Sequence, residues 1–577
     1  MATVAEQFVT VLRQAGVERI YGLVGDSLNP IVDAVRRTEG IEWIHVHNEE
    51  AAAFAAGADA LLTGKLAVCA GSCGPGNTHL VQGLYDAHRN GAPVLALASH
   101  IPASEIGTGF FQETHPEQLF AECSHYCELV SQPEQMPRLQ HIAMQNALGR
   151  RGVAVLVLPG DVAFKKAAHP TSPTVLAAAR PRMRPAEEQV RALADRITRA
   201  RTVTLLCGAG AADARDQVLR LAGALQSPVA HALGGKDVIQ YDNPYDVGMT
   251  GLLGYGAAYD AMHQADLLVM LGTDFPYDYF LPQRNTVQVD IDPGRIGRRT
   301  VLDVAVLGDV GETIEELLPL LTPRTDRRFL DDMLRKHAEL LDKVVSVYTR
   351  NVGHHTPIHP EHVAAQLDEL ASDDAVFTVD TGMCNVWAAR YLTPNGRRRV
   401  IGSWRHGTMA NALPQAIGAQ FAYPGRQVVS MSGDGGLSML MGELITVVQH
   451  DLPVKILLFN NSSLAMVKLE MLVDGLPSYQ TDHPPVDFSA IARGVGMPVL
   501  QVTRPDDVRS ALADGLARPG PVLIEMVTDP NALSVPPHVT MDQVKGFALG
   551  AAKLVLEGGV GAMVELARSN LRNIPHP

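Results

Sequence analysis

Cysteine is scarce in this chain, with six residues in 577, at positions 69, 73, 123, 127, 207 and 384. That is too few to staple a chain of this length with disulfides, and the two C-x3-C pairs read as core thiols rather than a zinc site. Basic residues are also in deficit. Forty-eight Lys and Arg stand against 62 Asp and Glu, a formal charge of −14, whereas a nucleic-acid binder needs the opposite surplus to neutralise phosphates. No nucleic-acid partner is expected, although a small basic or amphipathic patch is compatible with that total. No uninterrupted apolar run is long enough to span a bilayer and no charged leader precedes an apolar stretch, so the expected location is the cytoplasm. What the chain has is length. At roughly 150 residues per domain there is room for three or four cores.

Alternating apolar strands and helical periods form three α/β blocks, and the pattern fails in two places. Near Lys165 to Glu188 four prolines sit among Ala, Thr and Ser, which suits an exposed connector. Between about Pro319 and Pro360 a charged helical stretch, Asp331 to Val347, runs into a histidine-bearing segment with His354, His355, His359 and His362. No Asp, Glu or Cys at ligand spacing accompanies them, so a solvated linker is expected. The expected domains are 1–168, 186–322 and 357–530, with 531–577 as a tail. The fold class is α/β, three doubly wound parallel-sheet domains.

The sharpest motif is Gly433-Asp434-Gly435-Gly436, followed by Asn460-Asn461. Gln427 to Ser432 reads as a buried strand, Leu437 to Gln449 as a helix, and Val454 to Phe459 as the next strand. A right-handed βαβ unit sets the carboxyl ends of its strands side by side. Asp434 and Asn461, 27 positions apart, can therefore converge on one hard cation such as Mg²⁺. Glycine lets backbone approach phosphate oxygens, and a helix start favours an anion. Together these features point to thiamine diphosphate. The competing reading is a glycine-rich turn that binds nothing, and the matched Asn-Asn weighs against it. The first block repeats the plan, Leu66 to Ala70 ending in Gly71-Ser72-Cys73-Gly74-Pro75-Gly76-Asn77, which suggests two related sheets sharing a ligand.

The middle block carries an incomplete dinucleotide fingerprint, Gly208-Ala209-Gly210, after the strand Val203 to Cys207. Further strand ends follow at Thr250-Gly251-Leu252-Leu253, Gly272-Thr273-Asp274, Asp290-Ile291 and Gly308-Asp309. Gly, Thr and Asp at the carboxyl edge of a sheet are where nucleotides bind, and an ordinary structural α/β domain is the alternative.

These residues resemble the thiamine-diphosphate enzymes of the pyruvate oxidase and acetolactate synthase superfamily over nearly the whole chain. Tyr21 to Asn29, Phe110 to Pro116 and Ser403 to Gln415 are most similar to its bacterial pyruvate:quinone oxidoreductases, the family of pyruvate dehydrogenase (quinone). The resemblance implies pyrimidine-binding, FAD-binding and diphosphate-binding domains in that order, and the cofactors thiamine diphosphate, Mg²⁺ and FAD. It implies that Glu49, rather than Glu50, hydrogen-bonds the aminopyrimidine ring. It implies that Met409, flanked by Gly407 and Thr408, holds the cofactor bent. It makes Asp434, the Asn461 side chain and the Ser463 carbonyl the metal ligands, with Gly435, Gly436, Leu464, Ala465 and Met466 around them. Phe111, Gln112 and Glu470 border the substrate. Ala465 stands where relatives usually have Gly, and Met466 where they often have an aromatic.

The implied reaction is oxidative decarboxylation of pyruvate to acetate and CO₂ through hydroxyethyl-thiamine diphosphate, with electrons passing by FAD to a membrane quinone. Acetolactate synthase and phosphate-dependent pyruvate oxidase are the alternatives. The family also implies a homo-oligomer, at least a dimer and by analogy a tetramer, in which Glu49 and Asp434 of one site come from different chains. In the tail, Met563, Val564, Ala567, Leu571 and Ile574 share one arc of a helical wheel with Glu565, Arg568 and Arg572 beside it. This matches the membrane-binding region of the quinone-linked relatives and implies peripheral attachment to the inner face of the cell membrane. The competing reading is a terminal helix docked on its own protein.

Overall fold

The computed structural model describes residues 2–170, 175–177, 182–350, 352, 355–533 and 569–570. The first sheet comprises β1 (Arg19–Gly22), β2 (Glu42–His45), β3 (Ala67–Gly71), β4 (Val94–His100), β5 (Tyr126–Leu129) and β6 (Val153–Pro159). The second comprises β7 (Val203–Cys207), β8 (Val229–His231), β9 (Asp246–Met249), β10 (Tyr255–Gly256), β11 (Leu267–Leu271), β12 (Thr286–Asp290) and β13 (Val304–Leu307). The third comprises β14 (Val376–Val379), β15 (Arg399–Gly402), β16 (Val428–Gly433), β17 (Lys455–Asn460), β18 (Val499–Val502) and β19 (Val522–Val527). Central strands such as β4, β6 and β17 are buried along their whole length, as strands covered on both faces by helices must be.

The strand orders are β2-β1-β3-β4-β6-β5 and β15-β14-β16-β17-β19-β18, one topology used twice. The middle sheet runs β10-β9-β8-β7-β11-β12-β13, parallel except for the β9/β10 edge pair. In all three the order reverses beside a strand that ends in glycine or is followed by it: β3, ending in Gly71, β7, followed by Gly208, and β16, ending in Gly433. Such switch points are where ligands of open α/β sheets bind.

Two local expectations change. The single helix expected over Leu437 to Gln449 is two, Asp434–Met439 and Glu443–Gln449. The break at Leu440 to Gly442 turns the second helix so that its first residue reaches another domain. The charged stretch is helical as expected, over Arg328–Lys343, but it is docked rather than solvated: Leu330 and Met333 are buried, Met333 in the middle-domain core with Val247, Ala257 and Leu268. Beyond it His359 is also buried, stacked on Tyr348 with ring centroids 4.0 Å apart, and burial pushes its pKa down to about 3. His354 and most of the tail lie outside the described residues. Of the tail, Ser569 donates to Asp529 Oδ2 (2.6 Å) and Asn570 to the Asn531 carbonyl (2.7 Å), so this turn sits on the third domain. All six cysteines are free, and five are buried.

Candidate functional site

At the carboxyl edge of the third sheet, β16 delivers Asp434 as the first residue of a helix, and β17 delivers Asn461 beside it. Asp434 is buried. Its Oδ2 accepts from the backbone N–H of Asn461 (3.0 Å) and Ser462 (2.5 Å), and its Oδ1 from Gly435 (2.8 Å). Burial raises its pKa, and these N–H donors oppose the rise. The Asn461 Oδ1 accepts from Ser463 N at 3.0 Å, so Asp434, Asn461 and Ser463 occupy one small loop cluster. Met409 and Leu464 close it: a Cβ built on Gly435 would lie 3.2 Å from Met409 Cε and 2.6 Å from Leu464 Cδ2. Ala465 and Met466 begin the next helix, Ala465–Val473.

Sequence reasoning passed over Asp380, which follows β14. It is fully buried, burial raises its pKa to about 7, and the nearby backbone N–H groups of Ala410, Thr381, Gly433 and Asn411 oppose the rise. A Cβ on Gly436 would collide with its carboxylate, so glycine is required there. The strand-end run Val379-Asp380-Thr381-Gly382 was the available signal. Asp380 Oδ1, Thr381 Oγ1, Asn385 Oδ1 and Ser463 Oγ are buried without partners. Orphaned polar atoms of this kind call for a bound polar group, and the oxygen-rich set fits a diphosphate with a hard cation. Among the described residues no three His, Cys, Asp or Glu side chains converge on a metal position.

The first domain supplies the other half. Asn48 caps helix Glu49–Thr63, its side chain accepting from Glu50 N at 2.9 Å. Glu49 is buried and its Oε2 lies 2.9 Å from His79 Nδ1, a partner that sequence reasoning missed. Glu50 is half-buried, and burial raises its pKa. Gly76 lies against Glu49 Oε1. Gln112 adopts φ +64°, beside Gly74, where any Cβ would meet Gln112 at 2.8 Å, and Cys73 Sγ lies 3.4 Å from Gln112 Oε1. Phe111 next to it is 79 % exposed. Glu49, Gln112 and the Gly74–Gly76 turn are thus brought together.

Within one chain these halves meet along helices rather than at the two carboxylates. Helix Glu49–Thr63 crosses helix Ala412–Ala422 so closely that a Cβ on Gly418 would overlap the Ala55 carbonyl. Gln82 donates to Thr408 Oγ1 (2.6 Å), Gln415 to Asp86 Oδ2 (3.0 Å), and His47 N to Glu443 Oε1 (3.1 Å). Gly407, at φ +75°, shapes the loop that carries Thr408. Burial raises Asp86 and Glu443 to about 7. Glu49 shares the electrostatic field of Glu443, and no hydrogen bond or ion pair of the described residues joins it to Asp434, Asn461 or Ser463.

In the middle domain the glycines have a packing reason. A Cβ on Gly208 would lie 2.6 Å from the Gly272 carbonyl, and one on Gly210 2.7 Å from Gly272 Cα, so the β7 and β11 turns are pressed together. Thr273 and Asp290 are buried, Ile291 is exposed, and Thr250 Oγ1 is buried without a partner beside Gly251, Leu252 and Leu253. Three of the carboxylates are engaged within the protein: Asp274 pairs with Arg298, Asp290 accepts from Asp292 N (3.0 Å), and Asp309 caps helix Val310–Leu317. Burial and then the charge of Asp474 raise the pKa of Glu470, and its own charge adds to the burial that raises Tyr277 and Tyr279 of this domain.

Two sheets of identical topology, each with a carboxylate and a glycine turn at its switch point, flank a third sheet of dinucleotide-binding order; that is the architecture of a thiamine pyrophosphate enzyme. The sequence matches that family's N-terminal TPP binding domain over residues 2–119, its central domain over 190–317 and its C-terminal TPP binding domain over 380–526. It is 34 % identical over 573 residues to YdaP of Bacillus subtilis, named as thiamine pyrophosphate-containing, covering 98 % of each chain. It is 31 % identical over 529 residues to a pyruvate oxidase of Lactiplantibacillus plantarum, covering 90 % of this chain and 87 % of the relative. It is likewise 31 % identical over 540 residues to the acetolactate synthase isozyme 1 large subunit of Escherichia coli, covering 91 % and 94 %. The chain belongs to the thiamine pyrophosphate enzyme family.

Proposed function

We propose that this enzyme oxidatively decarboxylates pyruvate to acetate and CO₂, passing electrons by FAD to a membrane quinone. The observation that carries the redox reading is the middle domain's sheet, whose order reverses beside β7 and whose Gly208, Gly210 and Gly272 turns are pressed together at its carboxyl edge. Glycine-edged turns at such a switch point suit a flavin dinucleotide. The pyruvate oxidase relative supports the same reading.

Bound thiamine diphosphate supplies the carbanion that attacks a 2-keto acid and the electron sink that lets CO₂ depart. The protein's part is orientation and proton handling. Asp434, Asn461 and the Ser463 carbonyl would hold Mg²⁺ and the diphosphate, with Met409 and Leu464 walling the space above Gly435. Glu49 would hold a proton against a pyrimidine ring nitrogen from a site where burial limits water, its Oε2 steadied by His79. Phe111, Gln112 and Glu470 would border pyruvate. Gly208, Gly210, Thr250, Gly272, Thr273 and their neighbours would receive FAD along the middle sheet's edge, with the unpartnered Thr250 hydroxyl free to bond it.

Anaerobic mixing with pyruvate tests the redox step, since bleaching of the flavin with release of acetate is expected. Acetolactate formation without bleaching would point to the synthase reading, and a requirement for phosphate to the phosphate-dependent oxidase.

The separation of Glu49 from the Asp434 cluster supports a site completed by two chains, hence at least a dimer and by analogy a tetramer. Mixing Glu49→Gln with Asp434→Ala protein under subunit exchange then restores part of the activity. No helix among the described residues is long and apolar enough to cross a membrane, and the proposed contact is peripheral, through the tail. Deleting residues after about Gly561 is expected to abolish liposome binding and quinone reduction while sparing pyruvate-driven reduction of a soluble dye.

A further inference from the structure

Helix Pro75–Asn90 of the first domain turns one face to the third-domain segment that carries Met409. Gln82, Tyr85, Asp86 and Asn90 fall at i, i+3, i+4 and i+8, the spacing of one helical face. Gln82 Nε2 donates to Thr408 Oγ1 (2.6 Å), its Oε1 lies 3.2 Å from His406 Nε2, and the Tyr85 ring stacks on that imidazole with centroids 5.4 Å apart. Asn90 Nδ2 donates to the Gly402 carbonyl (3.3 Å) and to Asp86 Oδ1 (2.9 Å). Asp86, buried and the charged member of the row, receives Gln415 Nε2 on Oδ2 at 3.0 Å. One helix face thus meets both ends of the segment, Gly402 and Gln415, with Met409 between them.

The amides of this chain of bonds are oriented by a carbonyl, which can only accept. Asn411 Nδ2 donates to the Val379 carbonyl (2.9 Å), so the same group donates to Gln415 Oε1 (3.0 Å), and Gln415 is left with Nε2 facing Asp86. Asn411 and Gln415 are buried, and removing the acceptor at the end of such a chain leaves a buried donor unmade. The Ser403 hydroxyl takes Thr408 N at 3.1 Å and is one of the groups that favour the charged form of Asp86. The segment needs such a clasp, because Ala410, next to Met409, is held at φ +70°, a left-handed conformation that a residue with a Cβ keeps where its surroundings impose it.

We propose that Asp86 is a positioning residue: from the first domain it holds the strained segment of its own chain in the shape that sets Met409 beside Gly435. The inference rests on the cofactor reading of that site and on the site being shared by two chains. Asp86 and Glu49 lie in one domain but then serve different sites. Asp86 serves the site built on Asp434 of its own chain, and Glu49 serves the site completed by the partner chain.

The test uses the full chain with thiamine diphosphate and Mg²⁺. In a double-mutant cycle on exchange of the cofactor C2 proton, Asp86→Asn is expected to slow exchange by roughly 10–100-fold, the scale of a small misplacement of a reacting group. Once Met409→Ala is present, the same substitution should slow it by less than about threefold, because the two act as one unit. Equal factors in both backgrounds overturn the assignment. A second measurement mixes subunits under exchange. Asp86→Asn with Glu49→Gln should rise above the mean of its parents, since one site per hybrid keeps every group, whereas Asp86→Asn with Asp434→Ala should not. The opposite pattern, a rise in both mixtures, or a rise in neither while Glu49→Gln with Asp434→Ala recovers, overturns it. If that control mixture does not recover, the two-chain reading fails and the cycle alone decides the role of Asp86. An unaltered protein that does not accelerate C2 exchange overturns the cofactor reading. Gln415→Met, which cuts the same link from its other side, repeats both measurements if Asp86→Asn does not fold.

Discussion

The first and third domains share one strand order, and each places a buried carboxylate against a glycine that follows the switch-point strand. In the first domain Gly76, after β3, leaves room for Glu49; in the third, Gly436, after β16, leaves room for Asp380. The difference lies in what surrounds the acid. Asp380 is fully buried, has backbone N–H groups of Ala410, Thr381, Gly433 and Asn411 around it that favour its charged form, and keeps Oδ1 without a partner. Glu49 is held by one side chain, His79, itself half exposed. The same architecture has walled one acid in against a glycine and given the other a side-chain partner near the surface. Their helices differ in the same sense: Pro75–Asn90 runs unbroken, whereas its counterpart breaks after Met439 and brings Glu443 to the first domain.

The strongest test of this contrast is Gly436→Ala. The added methyl would overlap the buried Asp380 carboxylate, and overpacking of a buried site costs about 1–3 kcal/mol or more. The melting temperature should fall, and titration of thiamine diphosphate by intrinsic fluorescence should show cofactor binding lost. Glu49→Gln should leave folding and cofactor binding intact while slowing exchange of the cofactor C2 proton, followed by NMR, by roughly 10²–10⁴-fold. Normal exchange in that variant with an inactive Glu50→Gln would reverse the roles given to the two acids.

Glu443 offers a pH test of the contact between the domains. Its folded pKa is raised from 4.5 to about 7 by burial, so between those values the folded state binds the extra proton. Its stabilisation is full below about pH 4.5 and is lost as pH rises through 7, a change on the order of 3 kcal/mol. The melting temperature of the unaltered chain should decline over that window, Asp86 contributing in the same direction, and the decline should be shallower in Glu443→Gln. The smallest effect is expected from Gly76→Ala. There the methyl comes 2.9 Å from the end of the Glu49 side chain, which can swing away, and 3.3 Å from the Gly71 carbonyl carbon, which needs a shift of a few tenths of an ångström at most. Cofactor binding should persist and kcat fall by roughly tenfold, about 1.4 kcal/mol. Loss of cofactor binding equal to that of Gly436→Ala would erase the contrast between the walled-in acid and the partnered one.

Much of this was legible in the chain before folding. Buried parallel strands announce themselves as short apolar runs such as Val94 to Ala98 or Lys455 to Phe459, and the turns that follow them as Gly-rich strings, because both signals are local. The likeness of the first and third blocks and the Asp434/Asn461 pair came from that local grammar, whereas Glu49 was singled out by the family resemblance. The broken helix at Leu440 was not legible, since its apolar spacing continues through the break and only Gly442 hints at it. The docked helix Arg328–Lys343 looked solvated because its charge outweighs the few residues, Leu330 and Met333 among them, that decide where it packs.

By itself, then, the sequence determined three α/β domains, the switch-point turns and the residue types able to hold a diphosphate and a cation, for these depend on neighbours along the chain. The tertiary structure alone decided that Asp380 is the acid behind Gly436 and that His79 steadies Glu49 from 30 positions away. It alone set Asp86 against Gln415, 329 positions further on. Such pairings are set by how sheets and helices close on one another, and side chains far apart in sequence carry no periodic signal that they will meet.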